Sequence, residues 1–84
     1  MVYTYKTRGT CSTQIKIEID DDKTIKSVEF LGGCNGNLKG IGQLVTGMHI
    51  DEVIDRLDGI TCGFKSTSCP DQLAKALKQI DEEL

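Results

Sequence analysis

The chain has 84 residues and a formal net charge of −3, from 13 acidic and 10 basic residues. This length allows one domain with one core and excludes an enzyme built on a large barrel or a nucleotide fold. Because the basic residues are scattered and the net charge is negative, the composition argues against a nucleic-acid binder, which needs a basic face. With 38% apolar residues and no Trp, the core must consist mainly of Ile, Leu and Val, and a metal, a disulfide or a partner would add stability.

The first half of the sequence predicts three strands. Residues 2–6 (VYTYK) are rich in β-forming residues, and in residues 14–20 (QIKIEID) isoleucines alternate with polar residues. This alternation predicts a strand with one buried and one solvent-exposed face. After an acidic turn, residues 24–31 (TIKSVEFL) continue as a third strand with Val28 and Phe30 inward, so the last two strands form an antiparallel hairpin.

Two helices are predicted next. Residues 37–46 carry apolar residues at helical spacing, but Gly40 and Gly42 each cost such a helix about 1 kcal/mol relative to Ala. This helix therefore needs tertiary support, and its glycines would allow a close contact. Residues 50–57 form a clearer amphipathic helix that Gly59 closes.

A loop over residues 60–68 precedes the last predicted helix, which begins near Pro70. Proline is favoured at the first helical position, and this leaves Cys69 in the capping position, where a thiol is a poor substitute for a hydroxyl or carboxylate. Asp71 and Lys75 are spaced to form a supportive i, i+4 ion pair. One face of this helix is apolar and consists of Leu73, Leu77, Ile80 and Leu84.

Taken together, the elements predict an α+β fold over a single domain, residues 1–84, in which a three-stranded antiparallel sheet is followed by three helices packed on one face. Residues 1–9 (MVYTYKTRG) lack the charged and apolar segments of a signal peptide, and no long apolar run follows. We therefore expect a cytoplasmic location without membrane contact. In a reducing compartment, four cysteines are more often metal ligands or working thiols than a disulfide framework.

The four cysteines are the candidate site residues, with the spacing C-x22-C-x27-C-x6-C and no C-x2-C pair. Each of them lies in a predicted connection, and these connections can gather at one end of the sheet. Four thiolates converging there would form the tetrahedral, closed site that structural zinc prefers. A helix N-terminus favours the thiolate form of Cys69, whereas the charge of Asp71 opposes it, and a bound cation would resolve this conflict. The predicted metal ligands are Cys11, Cys34, Cys62 and Cys69.

Other interpretations of these residues stay open. The cysteines can be unrelated core or surface residues, or Cys62 and Cys69 can be a redox pair, although six intervening residues replace the usual two. We expect His49 at the surface near a helix start and residues 20–22 in a solvated turn. With one histidine in the chain, we predict no catalytic constellation.

Residues 67–71 read TSCPD, and residues 32–37 read GGCNGN. With these motifs and Cys11, the sequence resembles the TSCPD domain family. Members of that family occur as short stand-alone proteins and as the C-terminal domain of adenosylcobalamin-dependent ribonucleoside-diphosphate reductases. The resemblance implies a cysteine-ligated metal module associated with deoxyribonucleotide synthesis. Adenosylcobalamin would enter only through a partner reductase, because 84 residues have no room for its pocket.

A fainter likeness concerns the order of elements and cysteines. The layout is similar to that of U-type iron–sulfur scaffold proteins, in which one cysteine follows the first strand, one lies in a turn after the third and one opens the last helix. The matching positions are Cys11, Cys34 and Cys69. An aspartate and a histidine common in those scaffolds are replaced here by Thr13 and Ser68, and Cys62 would supply a fourth ligand, which favours holding a metal over transferring it.

The sequence thus predicts a zinc-binding module with an auxiliary or interaction role, related to ribonucleoside-diphosphate reductase and not itself an enzyme. Its expected partner is a reductase subunit or another protein, with no nucleic acid and no membrane. The alternatives are an iron–sulfur cluster or sulfur-transfer scaffold and a thiol redox protein that uses Cys62 and Cys69.

Overall fold

Three strands and three helices follow one another in the predicted order. A computed structural model describes residues 1–7, 12–32, 35–61, 63 and 67–83. The predicted α+β class is confirmed, and none of the helices within these ranges is long and apolar enough to cross a membrane. The elements are β1 (Val2–Lys6), β2 (Ser12–Ile19), β3 (Ile25–Gly32), α1 (Asn35–Val45), α2 (Ile50–Leu57) and α3 (Cys69–Glu83).

The sheet has the order β1-β2-β3, and both strand pairs are antiparallel. The isoleucines at positions 15, 17 and 19 of β2 are fully buried, because alternate residues of a strand share one face. The register with β3 shifts between Glu18 and Ile19, so that Ile19 pairs with Ile25 and Lys26 becomes the extra residue. This bulge brings Ile25 onto the buried face, where strict alternation would have placed Lys26.

One hydrophobic core lies between the sheet and the helices. Val28 and Phe30 pack against it, as predicted, whereas Lys16 and Glu29 on the other face of the sheet are exposed. Burying a Leu, Ile or Val side chain contributes about 1.5–3 kcal/mol, so the shared core is the main reason why the helices stay on this face. The helical members of the core are Val45, Ile50, Val53, Leu73, Ala76, Leu77 and Ile80.

Helix α1 approaches β3 closely at a glycine. A Cβ atom at Gly42 would lie 2.6 Å from the carbonyl oxygen of Val28, too close for any side chain, whereas a Cβ at Gly40 would have no neighbour within 4 Å. The close contact predicted for the glycines is therefore confirmed at Gly42.

An ion pair connects the C-terminal part of α3 to the turn between β2 and β3. Lys23, in the turn between β2 and β3, lies 2.6 Å from the carboxylate of Asp81. At 1.5 Å per residue, Cys69 lies about 18 Å from Asp81 along α3.

We predict that Gly42→Ala lowers the free energy of unfolding by about 1–2 kcal/mol, because the added methyl group collides with the Val28 carbonyl and the gain in helix propensity offsets only part of this cost. Gly40→Ala is the matched control and should raise stability by up to about 1 kcal/mol. Urea denaturation of both variants measures the difference. Equal changes in the two variants would show that the close contact is unimportant.

Candidate functional site

Ser68 begins the last helix. Its carbonyl oxygen accepts the first helical hydrogen bond from the N–H of Gln72 at 2.8 Å, and its Oγ accepts from the N–H of Asp71 at 3.2 Å. The prediction that Cys69 occupies the capping position is therefore wrong by one residue. Cys69 is the first helical residue and Pro70 the second, where the missing proline N–H again leaves no helical bond unmade.

The Ser68 hydroxyl also connects this helix to the segment before it. It donates to the carbonyl oxygen of Ile60 at 2.6 Å, so one side chain both caps α3 and holds the backbone that follows α2. Gly59, which ends α2 as predicted, has a φ of 85°, a conformation that favours glycine. The two residues after Asp58 are thus positioned by the end of one helix and the start of the next.

Asp71 is the most buried charged residue of this region, with 1% of its surface exposed. One carboxylate oxygen accepts from the N–H of Gly59 at 2.7 Å, and the other accepts from Lys75 at 2.5 Å and from the hydroxyl of Thr67. Thr67 in turn accepts from the side-chain amide of Gln72 at 3.0 Å. A buried carboxylate is tolerated only when it is hydrogen-bonded and paired in this way.

These contacts set the charge states. Burial raises the pKa of Asp71, but the hydrogen bonds from Lys75, Thr67 and the Gly59 N–H outweigh burial and hold the pKa below its usual value. The hydrogen bond with Asp71 raises the pKa of Lys75, although burial acts against it. The predicted i, i+4 pair is confirmed. Because Lys75 neutralises Asp71, that carboxylate opposes a thiolate at Cys69 less than the sequence alone indicates.

Cys69 is buried at the N-terminus of α3, with 6% of its surface exposed. The other predicted ligands, Cys11, Cys34 and Cys62, lie outside the described residues. Among the residues that are described, no group of three or more His, Cys, Asp or Glu side chains is arranged to hold a metal. The four-cysteine site stays a prediction.

His49 and the acidic turn lie where the sequence indicates. His49 precedes α2, and its Nδ1 accepts from the N–H of Asp51 at 3.2 Å, so it caps this helix. In the turn, Oδ1 of Asp20 accepts from the N–H groups of Asp22 and Thr24. Both features are explained by local hydrogen bonding.

Sequence reasoning missed the joint role of Thr67, Ser68 and Asp71. A signal was present, because Ser68 and Asp71 have the S-x-x-D spacing of a capping box. In this structure the Asp71 carboxylate reaches Gly59 and Thr67 rather than the backbone of the cap. The motif therefore joins two helices.

A comparison with known protein families matches residues 2–81 to the TSCPD domain. The chain belongs to the TSCPD domain family. The match covers all three strands and nearly all of the three helices, including the hydrogen-bond network at residues 67–72. Searches among curated proteins and among solved structures give no significant match. In this TSCPD domain, the Ser and Asp of the motif bind the backbone of Ile60 and Gly59 after α2, and the Thr donates a hydrogen bond to the Asp. The Cys begins the helix that they position.

We predict that Asp71→Asn lowers the free energy of unfolding by about 1.5–3 kcal/mol near neutral pH, because the side-chain amide replaces an acceptor of the Thr67 and Lys75 donors. The folded-state pKa of Asp71 is depressed, so its contribution is present above the unfolded pKa of about 3.9 and is lost as the pH falls through the folded value. Urea denaturation at about pH 7 and about pH 2 should therefore show a large difference between wild type and variant that shrinks in acid.

Asp55→Asn, at an exposed position in α2, is the control and should behave like the wild type at both pH values. A difference between wild type and Asp71→Asn that stayed constant in acid would show that the carboxylate charge does not stabilise the fold.

Proposed function

We propose that this TSCPD domain binds one zinc ion through Cys11, Cys34, Cys62 and Cys69 and serves as an auxiliary or interaction module of a ribonucleoside-diphosphate reductase. The observation that supports this most is the hydrogen-bond network at the start of α3. It joins the helix terminus that carries Cys69 to Gly59 and Ile60, which precede Cys62 in the sequence.

The first half of the proposed site rests on two hydrogen bonds. The Gly59 N–H donates to Asp71, and the Ile60 carbonyl accepts from Ser68, so residues 59–60 are held against the first turn of α3. Cys62 follows Ile60 by two residues, and each residue extends the chain by at most about 3.8 Å. The chain therefore has to extend only a short distance beyond Ile60 for Cys62 to contact Cys69.

The second half of the site rests on the ends of β2 and β3. Ser12 pairs with Gly32 in the sheet. Cys11 immediately precedes Ser12, and Cys34 follows Gly32 by two residues. The Lys23–Asp81 ion pair holds the other end of α3 near the turn between β2 and β3. The proposed site requires the start of α3 to lie near Ser12 and Gly32, at the opposite end of these strands.

The donor chemistry fits zinc. Four thiolates form the all-sulfur tetrahedral site of structural zinc, and the free N–H groups and dipole of α3 stabilise negative charge on Cys69. Lys75 neutralises Asp71, the carboxylate closest in sequence to Cys69. Zinc would supply a cross-link, and structural zinc ions contribute an apparent free energy of about 10–16 kcal/mol in small domains. Ser68, Thr67 and Asp71 would position the backbone that presents the sulfur ligands.

The association with deoxyribonucleotide synthesis is proposed from family membership. The resemblance to the C-terminal domain of adenosylcobalamin-dependent reductases implies a role beside the catalytic subunit. Adenosylcobalamin and the radical chemistry would belong to that subunit, and this chain would contribute a metal-stabilised surface.

We predict about one zinc per chain by plasma mass spectrometry of protein purified under nitrogen without a His tag, and no free thiols until a chelator is added. Cys69→Ser should lose the zinc, because three sulfurs remain, and should melt at the temperature of chelated wild type. Ser68→Ala keeps all four sulfurs and should keep one zinc, but it should release the metal to a chelator faster. Thr61→Ser, at an exposed neighbour of Cys62, is the control and should match the wild type.

Other results would indicate a different function. Iron with sulfide, transferable to an acceptor and independent of Cys62, would indicate an iron–sulfur scaffold. Four titratable thiols without metal would refute the site. In that case, a Cys62–Cys69 disulfide reduced by thioredoxin with turnover would indicate a thiol redox protein.

We also predict that the zinc-loaded chain binds a purified adenosylcobalamin-dependent reductase from which the C-terminal TSCPD domain has been removed. Co-elution in size-exclusion chromatography and a change in reductase turnover measure the interaction. The chelated chain is the control and should bind more weakly, because without zinc the segments that carry the four cysteines are not cross-linked. Zinc-loaded chain that neither co-elutes nor alters turnover would contradict the reductase role while leaving the metal site intact.

A further inference from the structure

An apolar groove of about 270 Å³ lies between α1 and α2. Val45 and Val53 are its most buried lining residues, and Ile41, Met48 and Leu57 line it as partly buried side chains. The groove is therefore an extension of the core that opens to the surface.

Leu44 also lines this groove and is 77% exposed, the highest value among the large apolar residues of the described chain. A single exposed leucine is ordinary, but this one joins the groove to form one continuous apolar patch. A protruding side chain and a recess on the same surface can complement each other when two identical surfaces meet across a two-fold axis.

The charges at the edge of the groove can also complement those of an identical surface. Arg56 lines the groove, and Glu52 lies one helical turn before it at 3.6 Å. Both side chains are more than half exposed, so their mutual pair is weak and each can take another partner. When two copies of α2 lie antiparallel about a two-fold axis near Ile54, Arg56 of each copy lies opposite Glu52 of the other.

We infer that this groove is the contact surface for a second copy of the chain. In the two-fold dimer, Leu44 of each copy enters the groove of the other, and the Arg56 and Glu52 side chains pair across the interface. A strongly basic or acidic partner helix would find one charge of each sign at this edge, whereas a second copy matches both. This inference goes beyond the metal site and does not depend on it.

Sedimentation velocity of the full chain from about 1 μM to about 1 mM tests the inference. We expect a reversible dimer in the wild type and a dissociation constant raised at least about a hundredfold in Leu44→Lys, because two leucines lose their burial. Val2→Lys is the matched control. Val2 is 55% exposed and lies on β1, at the opposite edge of the sheet from β3, the strand that α1 contacts. This variant should therefore dimerise like the wild type.

Charge reversal gives a second, independent measurement. Arg56→Glu and Glu52→Arg should each weaken the dimer by placing like charges opposite each other, and the double variant should restore it. Circular dichroism melting shows that each variant is folded. A wild type that stays monomeric over the whole range would overturn the inference and leave the groove to an apolar helix of another protein. A dimer that is unaffected by Leu44→Lys would overturn it as well.

Discussion

The burial of one carboxylate, that of Asp71, is the constraint on which the connection between the last two helices depends. An ionised group without access to water must find donors, and a helix cannot supply them all. Asp71 obtains them from Lys75 on its own helix, from Thr67 before it and from Gly59 at the end of α2. Satisfying this charge therefore fixes where the α2–α3 connection begins and ends.

The regular elements were predictable because their patterns are local. The alternating isoleucines of β2 show which face is buried, and Gly40 and Gly42 of α1 predicted a close approach, which the structure shows at Gly42. The start of α3 was predicted one residue too late, because proline is favoured at the first helical position. In the structure, the hydrogen bond from the Asp71 N–H to the Ser68 side chain outweighs that preference. The contacts of Gly59 could not be predicted, because they depend on how two helices cross and no local pattern encodes this.

The residues of the TSCPD motif have different roles. Thr67, Ser68 and Asp71 have buried hydrogen-bonding roles that would be needed whether or not the domain binds a metal. Cys69 is the first residue of the helix that these three residues position. Its place at the first position of a helix held in this way is what a ligand or reactive thiol requires, since it is presented by rigid backbone. With the proposed metal site, the motif would combine structural support and metal binding within five residues.

The ion pair between Lys23 and Asp81 bears on the order in which the domain folds. Its partners are 58 residues apart, whereas β2 and β3 are joined by a short turn. Because closing a long loop costs more entropy than closing a short one, we expect the hairpin to form early and α3 to dock late. Cys69, which α3 carries, would then take its place only after the hairpin has formed. The proposed metal site would therefore be completed only in the last step of folding.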